Sequence, residues 1–288
     1  MKLFNHRISP KISFRKGVRK IRLTKRLAII LDRLGAQPNL SIPAAMHGRN
    51  ETEAAYRFFA NEAVTPDAVF STHYAMTRRR ISQETDCLLV QDTTEVVLTR
   101  PQQQVEGAGP MSSDSQFGAF VHPLMAFTTN GIPRGIAWHK NWARTEIETG
   151  MTPGEKKKER NATPIEDKES IRWIEGLREA LNVARVCPNT RCILIGDSEA
   201  DIYELLSEPR DTGHNRPLEI LIRGCQERAT TESGRSILEH ARTTPCLYTA
   251  TVNVSPRKAK TKVETQKRAS ERPARVANVE VRACKTTL

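Results

Sequence analysis

The stretch CILIGDSEADIY, residues 192–203, decides the fold. Cys192, Ile193, Leu194 and Ile195 form a short apolar run of the length and β-branched character of a buried strand. Gly196 ends it, and Asp197 stands where the strand gives way to a turn. Glu199 and Asp201 then fall in the first turn of an expected helix over residues 199–208, where carboxylates favour the positive dipole end, and Ser198 suits its cap. A second stretch, CLLVQD at residues 87–92, repeats the pattern: an apolar run closed by Asp92, then small polar residues. Two buried strands ending in aspartate point to an α/β layer.

Working outward, residues 170–185 (SIRWIEGLREALNVAR) place Ile171, Ile174, Leu177, Leu181 and Ala184 on one helical face. LEILIRG, residues 218–224, is another buried strand, and TTEVVLT, residues 93–99, continues extended after Asp92. Residues 119–142 form two strands around Asn130-Gly131, a strong hairpin signal. Residues 145–169 have no apolar period and read as a solvated loop. From Ser236 onward the expectation is β: alternating strands at 246–255 and 275–284, separated by a Lys-rich stretch, could form a hairpin with a long loop.

The first third of the chain is helical. In residues 21–35, Leu23, Leu27, Ile30, Leu31 and Leu34 make one stripe, with Arg22, Lys25, Arg26 and Arg33 largely off it and Gly35 at the stop. Residues 41–48 read as a short second helix. The next helix, residues 50–61, carries Asn50 and Glu53 at capping-box spacing. A fourth begins with Thr65 as cap and Pro66 in the first turn, and ends on Arg78, Arg79 and Arg80. The reading divides the chain into a helical module at 1–82 (with 1–19 a basic arm lacking fixed structure), an α/β core at 83–235 and a β segment at 236–288.

The chain of 288 residues carries a formal net charge of +12. Residues 2–26 hold basic residues and no acid, and a second basic block spans 257–275. Such a balance suits a polyanionic partner, because each neutralised phosphate releases counterions; a solvated basic surface is the plainer account of either block alone. No apolar run approaches the roughly 20 residues that cross a bilayer, and the N-terminus lacks the apolar segment of a secretory signal. The six cysteines are scattered, without a CxxC pair, which suits free thiols in a reducing cytoplasm.

Side chains at the carboxyl ends of neighbouring α/β strands converge on one crevice. Two carboxylates meeting there repel unless a cation lies between them or one is protonated. Mg²⁺ suits such a place, since it takes one or two carboxylates and leaves positions for water and phosphate oxygens. Together with the basic surfaces this points to phosphodiester cleavage or transfer. Strand-end aspartates also serve as helix caps, and for Asp197 both readings stand; Asp201 reads as a structural partner.

RLTKRLAIILDRL (22–34) and SIPAAMHGRNETEAAYRFFANEAVTPDAVFSTH (41–73) resemble the DNA-binding module of bacterial cut-and-paste transposases of the insertion-sequence-four family. VQDTT (90–94), FVHPLMAFTTNGIPRGIAWHKNWAR (120–144), GDSEADIYELL (196–206) and IRGCQER (222–228) resemble that family's catalytic core in the same order. RPARVANVEVR (272–282) resembles part of its inserted β-domain. The resemblance implies a ribonuclease H-like core whose Asp, Asp, Glu triad binds Mg²⁺ or Mn²⁺, with Asp92 and Asp197 at the first two positions. It implies hydrolysis of one strand at the transposon end, then attack by the freed 3′-hydroxyl, without a protein-bound intermediate. Double-stranded transposon ends are the implied partner, with room for a homodimer on DNA, in the cytoplasm at the nucleoid and without a membrane. Thr93 and Thr94 match small polar residues after the first aspartate, where ligand orientation and turn packing are both open. Arg223 matches a strand-end arginine that could face DNA, and Trp138 and Trp142 suit packing better than base stacking.

The family's third carboxylate lies on a helix with the order Tyr, two residues, Arg, three residues, Glu, six residues, Lys. The residues three places after Tyr56, Tyr74, Tyr203 and Tyr248 are Phe59, Thr77, Leu206 and Thr251, so the pattern does not start here. Glu271 and Glu280 fall in a charged loop and a strand. The expectation is a C-terminally truncated transposase that binds DNA without completing transposition and leaves apolar sheet surface bare. The strongest rival is a DNA-binding protein that occupies transposon ends and inhibits the intact enzyme. An unrelated metal-dependent nuclease would need a third local ligand, and an RNA-binding protein would need aromatic platforms that the sequence lacks.

Overall fold

The computed structural model describes residues 18–99, 105–112, 115–145, 152–210, 217–231, 236–257 and 271–287. Residues 1–17 of the basic arm and most of the Lys-rich stretch lie outside them, while the arm's last two residues, Val18 and Arg19, are helical rather than without fixed structure. The chain divides into two compact units, with the boundary between Arg223 and Gly224.

The first unit opens with four helices, α1 (Val18–Ala36), α2 (Ile42–Met46), α3 (Arg49–Phe59) and α4 (Pro66–Ile81). Leu27 and Ile30 of α1 close over Ala45, Met46, Ala55 and Phe58, with Leu23 and Leu34 at the margin. Leu31 does not join them and stays half exposed, because the two short helices facing α1 cover a narrower stripe than the sequence offers. Arg26 donates to Glu51 at 2.6 Å, and Arg33 approaches the same carboxylate at 3.4 Å and donates to the Met46 carbonyl. This pair of arginines pins α1 to α3 and α2.

The expected Asn50–Glu53 capping box does not form. Helix α3 starts one residue earlier, with Gly48 at the cap, and Glu53 instead takes Arg49 at 3.0 Å and Arg57 at 3.5 Å along the helix face. Thr65 caps α4 as expected, accepting the Ala68 N–H at 3.2 Å, with Pro66 following. Helix α4 serves two cores: Ala68 and Val69 pack in the helical module, while Ile81 is buried in the core of the sheet.

The sheet comprises β1 (Asp86–Gln91), β2 (Thr94–Val97), β3 (Gly109–Pro110), β4 (Phe117–Phe127), β5 (Pro133–Trp142), β6 (Arg191–Gly196) and β7 (Glu219–Ile222). Strand β4 runs antiparallel to β1 and β5, whereas β1, β6 and β7 are mutually parallel. The resulting path, β5–β4–β1–β6–β7, is a mixed sheet consistent with a ribonuclease H-like core. Strands β2 and β3 extend it at either side of one end of β4. The β4–β5 hairpin turns at Asn130-Gly131, where Gly131 takes φ 77°.

Helix α5 (Pro153–Ala162), a 3₁₀ turn (Ile165–Asp167) and helix α6 (Ile171–Val186) connect β5 to β6. Within the loop expected over 145–169, residues 153–162 and 165–167 are thus helical. A Thr152–Glu155 capping box starts α5, and the helix has almost no apolar residue by which a periodicity would show it. Helix α6 buries Trp173, Ile174, Leu177, Ala180, Leu181 and Ala184 against inward residues of the strands, among them Leu89, Leu124 and Leu194. Gly176 sits where a Cβ would stand 2.0 Å from Gln91 Oε1, so a glycine is needed for this approach of helix to sheet. Helix α7 (Tyr203–Ser207) is shorter than expected, because a 3₁₀ turn (Ser198–Ala200) precedes it.

In the second unit, β8 (Tyr248–Val254) and β9 (Arg275–Val281) pair antiparallel from Tyr248↔Val281 to Val254↔Arg275, the expected hairpin. The all-β expectation after Ser236 misses helix α8 (Ile237–Thr243). Ser236 and Glu239 form a capping box at its start, a local signal stronger than the helix's seven-residue length.

Candidate metal centre and nucleic-acid interface

Strands β1 and β6 are parallel neighbours in the register Val90↔Ile195. Asp92 and Asp197 each lie two residues beyond this last paired position, just past the carboxyl ends of the two strands. Asp92 is exposed, and its Oδ1 accepts the Thr93 N–H at 2.7 Å. Asp197 Oδ1 accepts the Glu199 N–H at 2.8 Å. Asp197 is therefore itself the cap of the 3₁₀ turn, in place of Ser198. One oxygen of each carboxylate is thus held by a main-chain amide of its own turn, which sets the plane of the carboxyl group.

Arg223 follows β7, the next parallel strand, and its Nη2 lies 3.6 Å from Asp197 Oδ2 and donates to Ser198 Oγ at 2.9 Å. Its side chain remains 71% exposed. Three parallel strands thereby deliver Asp92, Asp197 and Arg223 to one edge. Among the described residues no three His, Cys, Asp or Glu side chains form a metal cluster. The two aspartates could hold one Mg²⁺ or Mn²⁺ ion, with its remaining positions open to water and phosphate.

Behind the aspartates lies a buried polar chain that the sequence reading did not single out. Gln91 Nε2 donates to the Trp173 carbonyl at 3.4 Å, which turns Gln91 Oε1 toward His122 Nε2 at 3.2 Å. His122 Nε2 therefore carries the proton, and its Nδ1 accepts from the Thr93 hydroxyl at 2.9 Å. Thr93 Oγ1 in turn accepts from Arg172 Nε at 2.8 Å. Every link donates in the same direction, from the Arg172 cation to a helix carbonyl. Burial, aided by the charges of Arg172 and Lys140, holds the His122 imidazole down at about 3, so it is neutral.

Arg172 also donates to Glu199 Oε2 at 2.8 Å and to the Glu169 carbonyl at 2.8 Å, beside the Trp142 and Trp173 rings. Glu199, expected only to favour a helix dipole, is thus an ion-pair partner, and Thr93 is a member of the buried chain. Asp201 is buried, in keeping with a structural place. Trp142 stacks on Phe120 with ring centroids 5.4 Å apart and donates to Glu169, and Trp138 packs against the sheet core. Neither is a free stacking platform. The missed network had a signal: Gln91 and His122 occupy inward positions of otherwise apolar alternating strands, where a polar residue must find partners. Arg172 had none, since near a helix start it reads like any solvated arginine.

On the helical module, Arg22 and Lys25 are exposed along α1, whereas the charge of Arg26 is already matched by Glu51. The fold is that of an α/β chain with a mixed sheet, consistent with a ribonuclease H-like core, and a basic helical module at its N-terminus. Residues 21–64 of that module, from α1 to the turn before α4, match the family model described as transposase DNA-binding. The match supports a transposase family and a transposase role, with DNA as the partner. No described helix is long and apolar enough to cross a membrane.

Proposed function

We propose that the chain is a DNA transposase of an insertion sequence, of the insertion-sequence-four kind, acting at the nucleoid on transposon-end duplexes. What supports this reading is the placement of Asp92 and Asp197 just past the ends of two adjacent parallel strands, in a chain whose module matches transposase DNA-binding. Arg22 and Lys25 bind phosphates of the end, and Arg223 meets the backbone near the aspartates. Asp92 and Asp197 hold Mg²⁺ or Mn²⁺, which when bound polarises the scissile phosphodiester and favours the attacking hydroxyl as its anion. The amides of Thr93 and Glu199 keep the two carboxylates turned toward the phosphate.

Residues 1–288 do not contain the Tyr–Arg–Glu–Lys pattern of the third carboxylate, so strand transfer needs a donor they do not supply in that form. A second reading is a protein that occupies transposon ends and blocks the intact enzyme, one copy or a homodimer to each end. The closed core of the helical module, distinct from the sheet core, supports it. The test is binding and nicking of a duplex carrying the element's terminal repeats, with Mg²⁺ or Mn²⁺. End-specific, salt-sensitive binding without nicking, unchanged in Asp92→Ala and Asp197→Ala, supports the second reading. Nicking abolished by Asp197→Ala supports the first. Absence of end-specific binding would overturn both.

A further inference from the structure

We infer that Arg172 is the positioning residue of the two-aspartate site: one guanidinium holds the two residues whose main-chain N–H groups orient Asp92 and Asp197. The geometry is paired. Thr93 gives its N–H to Asp92 at 2.7 Å and receives Arg172 Nε on its hydroxyl at 2.8 Å. Glu199 gives its N–H to Asp197 at 2.8 Å and receives Arg172 Nη2 on its carboxylate at 2.8 Å. The two turns follow different strands and are joined through a side chain from a third element, α6.

Arg172 is itself immobilised. Only 11% of its side chain is exposed, Nη1 is committed to the Glu169 carbonyl, and the Trp142 and Trp173 rings flank it. Glu169 is in turn fixed by a two-pronged contact from Arg144, at 2.6 and 2.7 Å. The Thr93 proton is spent on neutral His122, so Thr93 can only accept from Arg172 and has one orientation. A planar fork with fixed donor directions is required here; a lysine ammonium reaches one partner at a time. Removing Arg172 frees each turn to swing independently, which separates carboxylates that must act on one centre.

That the centre is a metal rests on the function proposed above, so the test has one readout with metal and one without. In the metal-free full chain, NMR hydrogen exchange is followed at the Thr93 and Glu199 amides, with Leu89 and Leu194 as strand controls. Arg172→Ala is expected to speed exchange at both turns and to leave the strands protected, with Arg172→Lys between wild type and Ala. Unchanged exchange at both turns overturns the inference. If Arg172→Ala loses strand protection too, the double variant Thr93→Val/Glu199→Ala takes its place. It severs the same links with Arg172 in position and is expected to mobilise both turns. Mn²⁺ titration then reads the consequence: Arg172→Ala weakens binding about 10- to 100-fold, the range for groups that orient metal ligands. Faster exchange without any wild-type Mn²⁺ binding would leave Arg172 as the positioning residue and overturn the metal reading alone.

Discussion

His122 shows at the scale of one residue how a buried polar group is tolerated. Its ring sits in the sheet core, edge-on to Trp173 at 4.6 Å, with a partner on each nitrogen. Its folded value of about 3 lies below the ordinary 6.5. Between these values the unfolded chain binds a proton that the folded chain refuses, so stability is full above pH 6.5 and falls as the pH drops toward 3. Burial lowers His73 and His139 as well, which adds to the same slope. The unfolding free energy is expected to fall from pH 7 to pH 4 in denaturant titrations, His122 contributing at most about 1.4 kcal/mol per pH unit. His122→Asn is expected to be less stable at pH 7 but to show a shallower pH dependence. Gly176 marks the same network from the helix side: Gly176→Ala displaces Gln91 and is expected to cost about 1–3 kcal/mol in urea denaturation.

At the scale of elements, charge joins helices whose apolar faces are small. Glu51 on α3 takes both Arg26 and Arg33 of α1, with all three side chains about one-third exposed. Glu51→Ala leaves two like charges facing the gap and is expected to cost about 0.5–1 kcal/mol, less in high salt. Thermal melts at two salt concentrations check it. Helix α4 reaches further, since Thr65 starts it in the module and Ile81 ends it in the sheet core. Along its length Tyr74 donates to His139 on β5, and His73 accepts the Ile136 N–H at 3.0 Å. The helical module is thus tied to the sheet by a continuous helix.

For the whole molecule the main consequence is electrostatic. Arg22 and Lys25 lie exposed within the stretch that matches transposase DNA-binding. Each is expected to contribute one phosphate contact. Arg22→Ala and Lys25→Ala should each reduce the slope of log K against log salt by about 1, measured by fluorescence anisotropy with a terminal-repeat duplex. Arg26→Ala should lower the melting temperature as well as affinity, because its charge is already used inside the module. Asp197→Ala should leave the salt slope unchanged, since the aspartate binds no phosphate directly.

The sequence by itself determined the elements with a strong period or a clear local signal. The apolar runs at β1 and β6, the Asn130-Gly131 hairpin, the stripe of α6 and the Thr65 cap are short-range features set by backbone preference and burial. Two strand-end aspartates were legible for the same reason, because an acid closing a buried strand stands out in one dimension. Helices α5 and α8 escaped, the first because it is polar all round and the second because it is shorter than a reliable period. Only the tertiary structure decided that β1 and β6 are parallel neighbours, which puts the two aspartates at the ends of adjacent strands. It also brought Arg172, Thr93, His122 and Glu199 together from a helix, two strand ends and the middle of a third strand. Those contacts join residues up to 79 positions apart, as Arg172 and Thr93 are, and such pairings arise from packing of faces that no local pattern encodes.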